Sequence, residues 1–324
     1  MVSDLNRISR RSFGALSIGA AATAATFRMA GAQTPEASPA VEEAGMLESL
    51  GLPTLDITAK ELVFGISNPG ALAEGWYVVN LINESETDAS LNLALLPEGT
   101  NGGALSALKS EAFMGQGGEL PEFWASTTFT GGTVAAPGET TSAIVYLTPG
   151  QWTAFSTNPV SIQTPANLRI LTPEELEANY GIVPEEAASA SPVASPVAEV
   201  SAPEGLTPSI TLGVSDSGFN PSGAPAGGEQ AIEIVNEGEQ VHDVIMLHTT
   251  DTVDEASAGS MALSWVRGED VNASPVGGIG TLSAGATAYA VLDAQPGTYL
   301  VFSSLPDANG GLQLETVGVL VFTA

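Results

Sequence analysis

Short runs of β-branched and aromatic residues alternate with polar ones along most of this chain, and Gly, Pro and Asn punctuate them. Ile232-Glu-Ile-Val and Val241-His-Asp-Val-Ile-Met-Leu show the period of two that sends successive side chains to opposite faces of a strand. Seven or eight such runs fall in each stretch of about 115 residues, which predicts an all-β protein of two β-sandwiches. One clear helix is predicted between Thr172 and Tyr180. There Thr172 can cap, Pro173 takes the first helical position, Glu174 and Glu175 face the positive end of the helix dipole, and Gly181 stops the helix. A short helical insert is expected from Leu105 to Phe113.

The pattern repeats. Pro149-Gly150-Gln-Trp152-Thr-Ala-Phe155-Ser156 matches Pro296-Gly297-Thr-Tyr299-Leu-Val-Phe302-Ser303 position by position. Ala136-Pro-Gly138 before Ala143-Ile-Val-Tyr-Leu mirrors Ser283-Ala-Gly285 before Tyr289-Ala-Val-Leu. Gly75 to Asn83 resembles Gly228 to Asn236, each ending in Asn-Glu-x-Glu. Three landmarks in the same order, 147 to 153 residues apart, predict a duplicated domain. The expected units are residues 52–172 and 206–324. Between them, 173–205 reads as a short helix plus a linker whose Ala190-Ser-Pro-Val-Ala194-Ser-Pro-Val-Ala198 cannot pack a core and favours independent motion of the two domains.

At the start, Ser9-Arg10-Arg11-Ser12-Phe13 has the twin-arginine pattern, followed by an Ala/Gly-rich apolar run and the small-x-small site Ala30-Gly31-Ala32. Residues 1–32 are therefore expected to be a cleaved Tat export signal, and 33–51 a disordered acidic tether. The apolar run is too short for the ~20 residues of a membrane span, and no later segment is apolar enough. The mature protein is expected in the extracytoplasmic space: extracellular, at the cell surface or periplasmic. Arg7, Arg10, Arg11 and Arg28 leave with the signal, so Lys60, Lys109, Arg169 and Arg267 face thirty-six carboxylates, a net of −32. Such a surface repels phosphate backbones, which excludes nucleic acid and suits a cationic partner. With no cysteine, stability has to come from the cores alone.

The C-terminal frame is Pro296-Gly297-x-Tyr299, Phe302, Pro306-Asp307, Gly310-Gly311, Gly318 and Phe322-Thr323-Ala324. It resembles the copper loop of cupredoxins (blue copper, plastocyanin-type proteins), where a strand, a Cys, a Pro-Asp-Gly-rich loop, a His and a Gly-Met precede the last strand. The resemblance implies a Greek-key cupredoxin-like sandwich for 206–324 and, through the repeat, for 52–172. It places the copper ligands at His242, six residues after Asn236, and at Ser303, Leu314 and Val319 in place of Cys, His and Met. A type 1 site needs a thiolate, two imidazoles and usually an axial thioether. Ser303, Leu314 and Val319 are therefore not expected to bind copper, and His242 is the one metal candidate. In the first half the matching positions are Ala89 and Ser156, and that half has no histidine.

Other chemistry is thin. His248 lies six residues from His242 on the same predicted strand, roughly 20 Å away at ~3.3 Å per residue, so one ion cannot bridge them. It reads as a surface residue, and Met246 and Met261 as core fillers. The clusters Glu84-x-Glu86-x-Asp88, Asp251-x-x-Asp254-Glu255 and Glu269-Asp270 lack the calcium-loop pattern and read as solvated acids. There is no Gly-x-Ser-x-Gly elbow, and two histidines are too few for the multicopper oxidases or copper nitrite reductases that repeat this fold. The expectation is a non-catalytic binding or scaffold protein with no cofactor, docking a partner at the apolar former copper end around Leu312 and Leu314. One alternative is a copper-binding or electron-transfer protein with a non-standard site around His242. A second is a carboxylate-based hydrolase.

Overall fold

The computed structural model describes residues 45–67, 70–107, 120–158, 163–182, 200–223, 227–305 and 317–322. The twin-arginine segment, residues 33–44, most of the 184–205 linker, residues 108–113 of the expected helical insert, and Leu312 and Leu314 lie outside them.

A short helix α1 (Met46–Ser49) leads into β1 (Thr54–Ala59), β2 (Phe64–Ile66), β3 (Leu72–Ala73), β4 (Gly75–Asn83), β5 (Ala89–Ser90) and β6 (Asn92–Leu95). Helix α2 (Gly102–Ala107) and a 3-10 turn (Glu122–Ser126) precede β7 (Thr128–Gly131), β8 (Val134–Ala135), β9 (Thr140–Leu147), β10 (Gly150–Phe155) and β11 (Ala166–Leu171). Helix α3 (Pro173–Tyr180) follows, with a full capping box between Thr172 and Glu175 and a left-handed cap at Gly181. The second half holds β12 (Ile210–Ser215), β13 (Gly218–Gly223), β14 (Gly228–Asn236), β15 (His242–Thr249), helix α4 (Glu255–Val266), β16 (Ser274–Leu282), β17 (Thr287–Ala294), β18 (Gly297–Phe302) and β19 (Val317–Phe322).

The chain is mostly β, and its strands form two large sheets that both run through the two halves. One has the order β13-β12-β14-β17-β9-β4-β1-β2, the other β19-β18-β15-β16-β7-β6-β10-β11-β3. Inward residues of alternating strands meet between them in one continuous core. Ile57, Val79 and Leu81 share it with Leu93, Trp152 and Ile170, and Ile232, Ile234 and Ala290 share it with Val244, Met246 and Val301. Each fully buried aliphatic side chain there contributes roughly 1.5–3 kcal/mol.

The linker's composition favours separate domains, but the strands join them. In the first sheet β9 pairs antiparallel with β17 at Ser142↔Val291, Ala143↔Ala290 and Ile144↔Tyr289. Ala143 and Ala290 stand at matching distances after Gly138 and Gly285, and here they lie directly opposite each other. In the second sheet Leu282 pairs with Thr130, and Ser283 and Phe129 exchange backbone and hydroxyl hydrogen bonds. Thr281 donates from both N and Oγ1 to Asn92 Oδ1, at 2.6 and 2.8 Å. Gly280 passes so close that a Cβ there would lie 2.4 Å from Leu91 O. Backbone ladders of this kind remove the freedom that a polar linker would otherwise leave.

Residues 45–51, expected as the end of the tether, also fold back. Met46, Leu47 and Leu50 cover the outer face of the first sheet at the junction, over Ile144, Tyr289 and Leu206. Helical segments cover the second sheet. Helix α4 lies over Ile245, Leu300, Phe302 and the first half's Val134. The first half's Leu105, Trp124, Phe129 and Phe155 enclose the second half's Val241 and Leu305.

The two halves make corresponding hydrogen bonds. Asn83 Nδ2 donates to Thr87 O and Ala135 O, as Asn236 Nδ2 does to Gln240 O and Leu282 O. Trp152 Nε1 donates to Thr148 O, four residues back, as the Tyr299 hydroxyl does to Gln295 O.

Candidate metal position and its counterpart

His242 opens β15, where the chain leaves the turn anchored by Asn236. Its ring is 2% exposed, and Nε2 lies 2.9 Å from Asp216 Oδ1 in the β12–β13 turn. The amides of Glu239 and Gln240 donate to the same carboxylate at 3.2 and 3.3 Å. Gly238 lies close against the pair: a Cβ there would fall 2.6 Å from Asp216 Oδ1 and 2.9 Å from His242 Nε2, so a larger residue would push them aside. Burial alone would raise the Asp216 carboxyl, but the hydrogen bonds from His242, Glu239 and Gln240 together hold it below the ordinary carboxylate range. With Asp216 ionised, Nε2 is the nitrogen that donates to it. Nδ1 is buried and has no hydrogen-bond partner among the described residues.

Asp243 is wholly buried beside it. Its Oδ1 accepts from Ser303 Oγ and Ser304 N, both at 2.7 Å, and Oδ2 from Ser304 Oγ at 2.5 Å. Burial pushes this carboxyl up, against the hydrogen bonds from Ser304 and Ser303 that pull it down.

The first half repeats this arrangement without charge. Ser90 stands where Asp243 stands. Its Oγ lies 3.0 Å from Ser156 Oγ and accepts from Thr157 N and Asn158 N, each at 3.1 Å. Ala89, in the place of His242, is fully buried.

The donor set does not fit type 1 copper. The hydroxyl of Ser303 is neutral and is committed as a donor to Asp243. Val319 pairs opposite Leu300 and packs against the cluster of Ile245, Phe302 and α4, so the structure does not bring it to His242. Leu314 lies outside the described residues. One imidazole nitrogen without a thiolate cannot make the site. Among the described residues, no three His, Cys, Asp or Glu side chains converge to hold an ion.

The other candidates separate. His248 Nε2 is 3.2 Å from Pro296 O, with its ring against Tyr299. Met246 is buried in the core, and Met261 packs against the α4 cluster. Glu84 pairs with Lys60, Asp254 caps α4 through Ser257 N, Asp251 accepts from Asn272, and Glu269 accepts from Ser264. Asp88 accepts from Trp265 Nε1 across the junction, and burial pushes its carboxyl up. Sequence reasoning missed Asp216. The segment Ser215-Asp216-Ser217-Gly218 signals only a hairpin turn, and its partner lies 26 residues away. Leu312 and Leu314, expected as the docking end, lie outside the described residues; Val241 and Leu305 pack against Trp124 and Phe129.

Among the described residues no helix is long and apolar enough to cross a membrane. No protein-family model and no curated protein matches the chain. Among solved structures it is similar to Na-dithionite-reduced auracyanin from the photosynthetic bacterium Roseiflexus castenholzii, at 15% identity over 37% of this chain and 100% of that one, with a TM-score of 0.26. It is also similar to Lac15 from a marine microbial metagenome, at 14% identity over 78% of this chain and 62% of that one, TM-score 0.24. A blue copper oxidase from Nitrosomonas europaea is 10% identical over 84% of each chain, TM-score 0.21.

Proposed function

We propose that this chain is an exported, non-catalytic binding protein built from two cupredoxin-like Greek-key sandwiches that have lost type 1 copper and are fused edge to edge. The repeated Asn83/Asn236 and Trp152/Tyr299 hydrogen bonds support the duplication. The observation that carries the reading is the Ser303 hydroxyl, held as a donor to the buried carboxyl of Asp243 where a thiolate would be needed. The test is a titration of the protein from Gln33 onward with Cu(I) and Cu(II), followed by visible absorption and thermal melting. The expected result is no intense thiolate-to-copper band and no stoichiometric ion. A stoichiometric ion that His242→Ala abolishes would sink the proposal.

One observation favours a second reading, a metal carrier with a non-standard site: the buried, unpartnered Nδ1 of His242. The same titration decides it, through the His242→Ala arm.

A further inference from the structure

The ladder that joins the halves in the first sheet ends at Ser142↔Val291. Beyond it β9 and β17 part, and a cleft of about 930 Å³ opens between Thr140–Ser142 on one wall and Val291–Asp293 on the other. Each wall is paired only on its far side, Thr140 and Thr141 with Ile82 and Leu81, and Leu292 and Asp293 with Gln230 and Glu229. Strand edges therefore face the cleft. Its floor comes from the other sheet, where Pro275 and Val276 open β16, and Leu47 of α1 closes one side. Glu139, Glu229 and Asp293 stand at the rim, and among the described residues no Lys, Arg or His lines the cleft.

We infer that this cleft binds a short extended segment of a basic polypeptide. The inference rests on the reading of the chain as a binding protein and names the chemistry of its partner. Two facing strand edges offer the alternating donors and acceptors that an extended backbone takes up when it adds to a sheet. The apolar floor suits aliphatic stems, and the three rim carboxylates suit the ammonium or guanidinium groups at their ends. A chain of net charge −29 attracts such a segment and repels acidic ones. The volume lies within the range of formed ligand sites, about 300–1,000 Å³.

The probe is an acetylated, amidated Lys-Val-Lys-Val-Lys peptide, titrated calorimetrically at low salt into the protein from Gln33 onward. Three proteins are compared. One is wild type. The second carries Glu139→Gln, Glu229→Gln and Asp293→Asn; the change at Glu229 keeps a side-chain oxygen for the Met46 amide that now donates to its carboxylate. The third carries the same loss of charge elsewhere, as Glu98→Gln, Glu122→Gln and Glu177→Gln. The expected result is wild-type binding that weakens roughly tenfold in the cleft variant, with the remote variant within about twofold. Glu-Val-Glu-Val-Glu should not bind. Equal losses in both variants, or spermine or Ca²⁺ displacing the peptide at charge-matched concentrations, would show diffuse attraction and overturn the inference. So would an absence of peptide binding with all three proteins folded by circular dichroism. This result is separable from the copper titration. Peptide binding alongside stoichiometric copper retires the metal-free reading and keeps the cleft, whereas neither copper nor peptide retires the cleft alone.

Discussion

Ser90 and Asp243 occupy the same place in the two halves and solve the same problem with different chemistry. Each sits beside a strand end and hydrogen-bonds the residues after the neighbouring strand: Ser90 accepts from Thr157 N and Asn158 N and pairs with the Ser156 hydroxyl, and Asp243 accepts from Ser303 and Ser304. A hydroxyl does this without charge. A carboxylate does it only by giving up its hydration, and its neighbour His242 contributes a buried nitrogen that no described residue satisfies. The first half shows that the fold needs the hydrogen bonds but not the charge. The second half holds a buried carboxyl and a histidine nitrogen that no described residue satisfies.

Moving the charge breaks the comparison most severely. Ser90→Asp places a second buried carboxylate where no histidine or solvent compensates it, and should cost about 3 kcal/mol or more at neutral pH, read from urea denaturation. A loss near zero would mean that the first tip is wetter than its burial implies. Asn92→Ala comes next. It removes the acceptor of both Thr281 bonds and the donor to Thr157, and should cost about 2–3 kcal/mol within a single unfolding transition. Two separated transitions would show that the halves fold independently.

Asp243→Asn should run the other way. Folding raises the Asp243 pKa, so its contribution is fully favourable below the ordinary carboxylate range and is lost as pH rises through the raised value. The amide removes the charge and keeps an oxygen for Ser303 Oγ and Ser304 N, while its NH2 group makes Ser304 Oγ turn from donor to acceptor; the variant should be more stable than wild type at pH 7 in urea denaturation. That gain should shrink toward pH 4, and a gain constant with pH would contradict the raised pKa. The smallest effect is expected at Tyr299→Phe, which removes one hydroxyl bonded to Gln295 O and should cost about 1 kcal/mol in a thermal melt.

Much of this fold was legible from residues with strong local consequences. Asn83 and Asn236, Gly138 and Gly285, and Trp152 and Tyr299 each fix a turn or a corner, and turn chemistry repeats visibly. The helix at 173–180 was legible for the same reason, since its capping box is contained in four residues. The junction was not. Ala143 and Ala290 read as ordinary interior strand positions, and nothing in an alternating pattern says which strand will lie alongside. The linker pointed the wrong way, because its composition reports on itself and not on the edges it connects. At the candidate site, His242 and Ser303 were found from the resemblance of the residues around them to the cupredoxin copper loop. Asp216 and the commitment of Ser303 to Asp243 were not, since both depend on segments distant in sequence meeting in space.

The bond from Thr281 to Asn92 also sets a clock on biosynthesis. The two residues are 189 positions apart, and the side chain of Asn92 lies buried in the finished protein. At about 5–20 residues per second, a ribosome needs about 10–40 s after making Asn92 to deliver its partner. During that interval the first half has an open sheet edge, Trp124 and Phe129 without Leu305, and a buried-to-be amide still in water. The nascent chain is therefore most exposed to misassociation when it is nearly half made, and slowing synthesis beyond that point should lower the yield more than slowing it before.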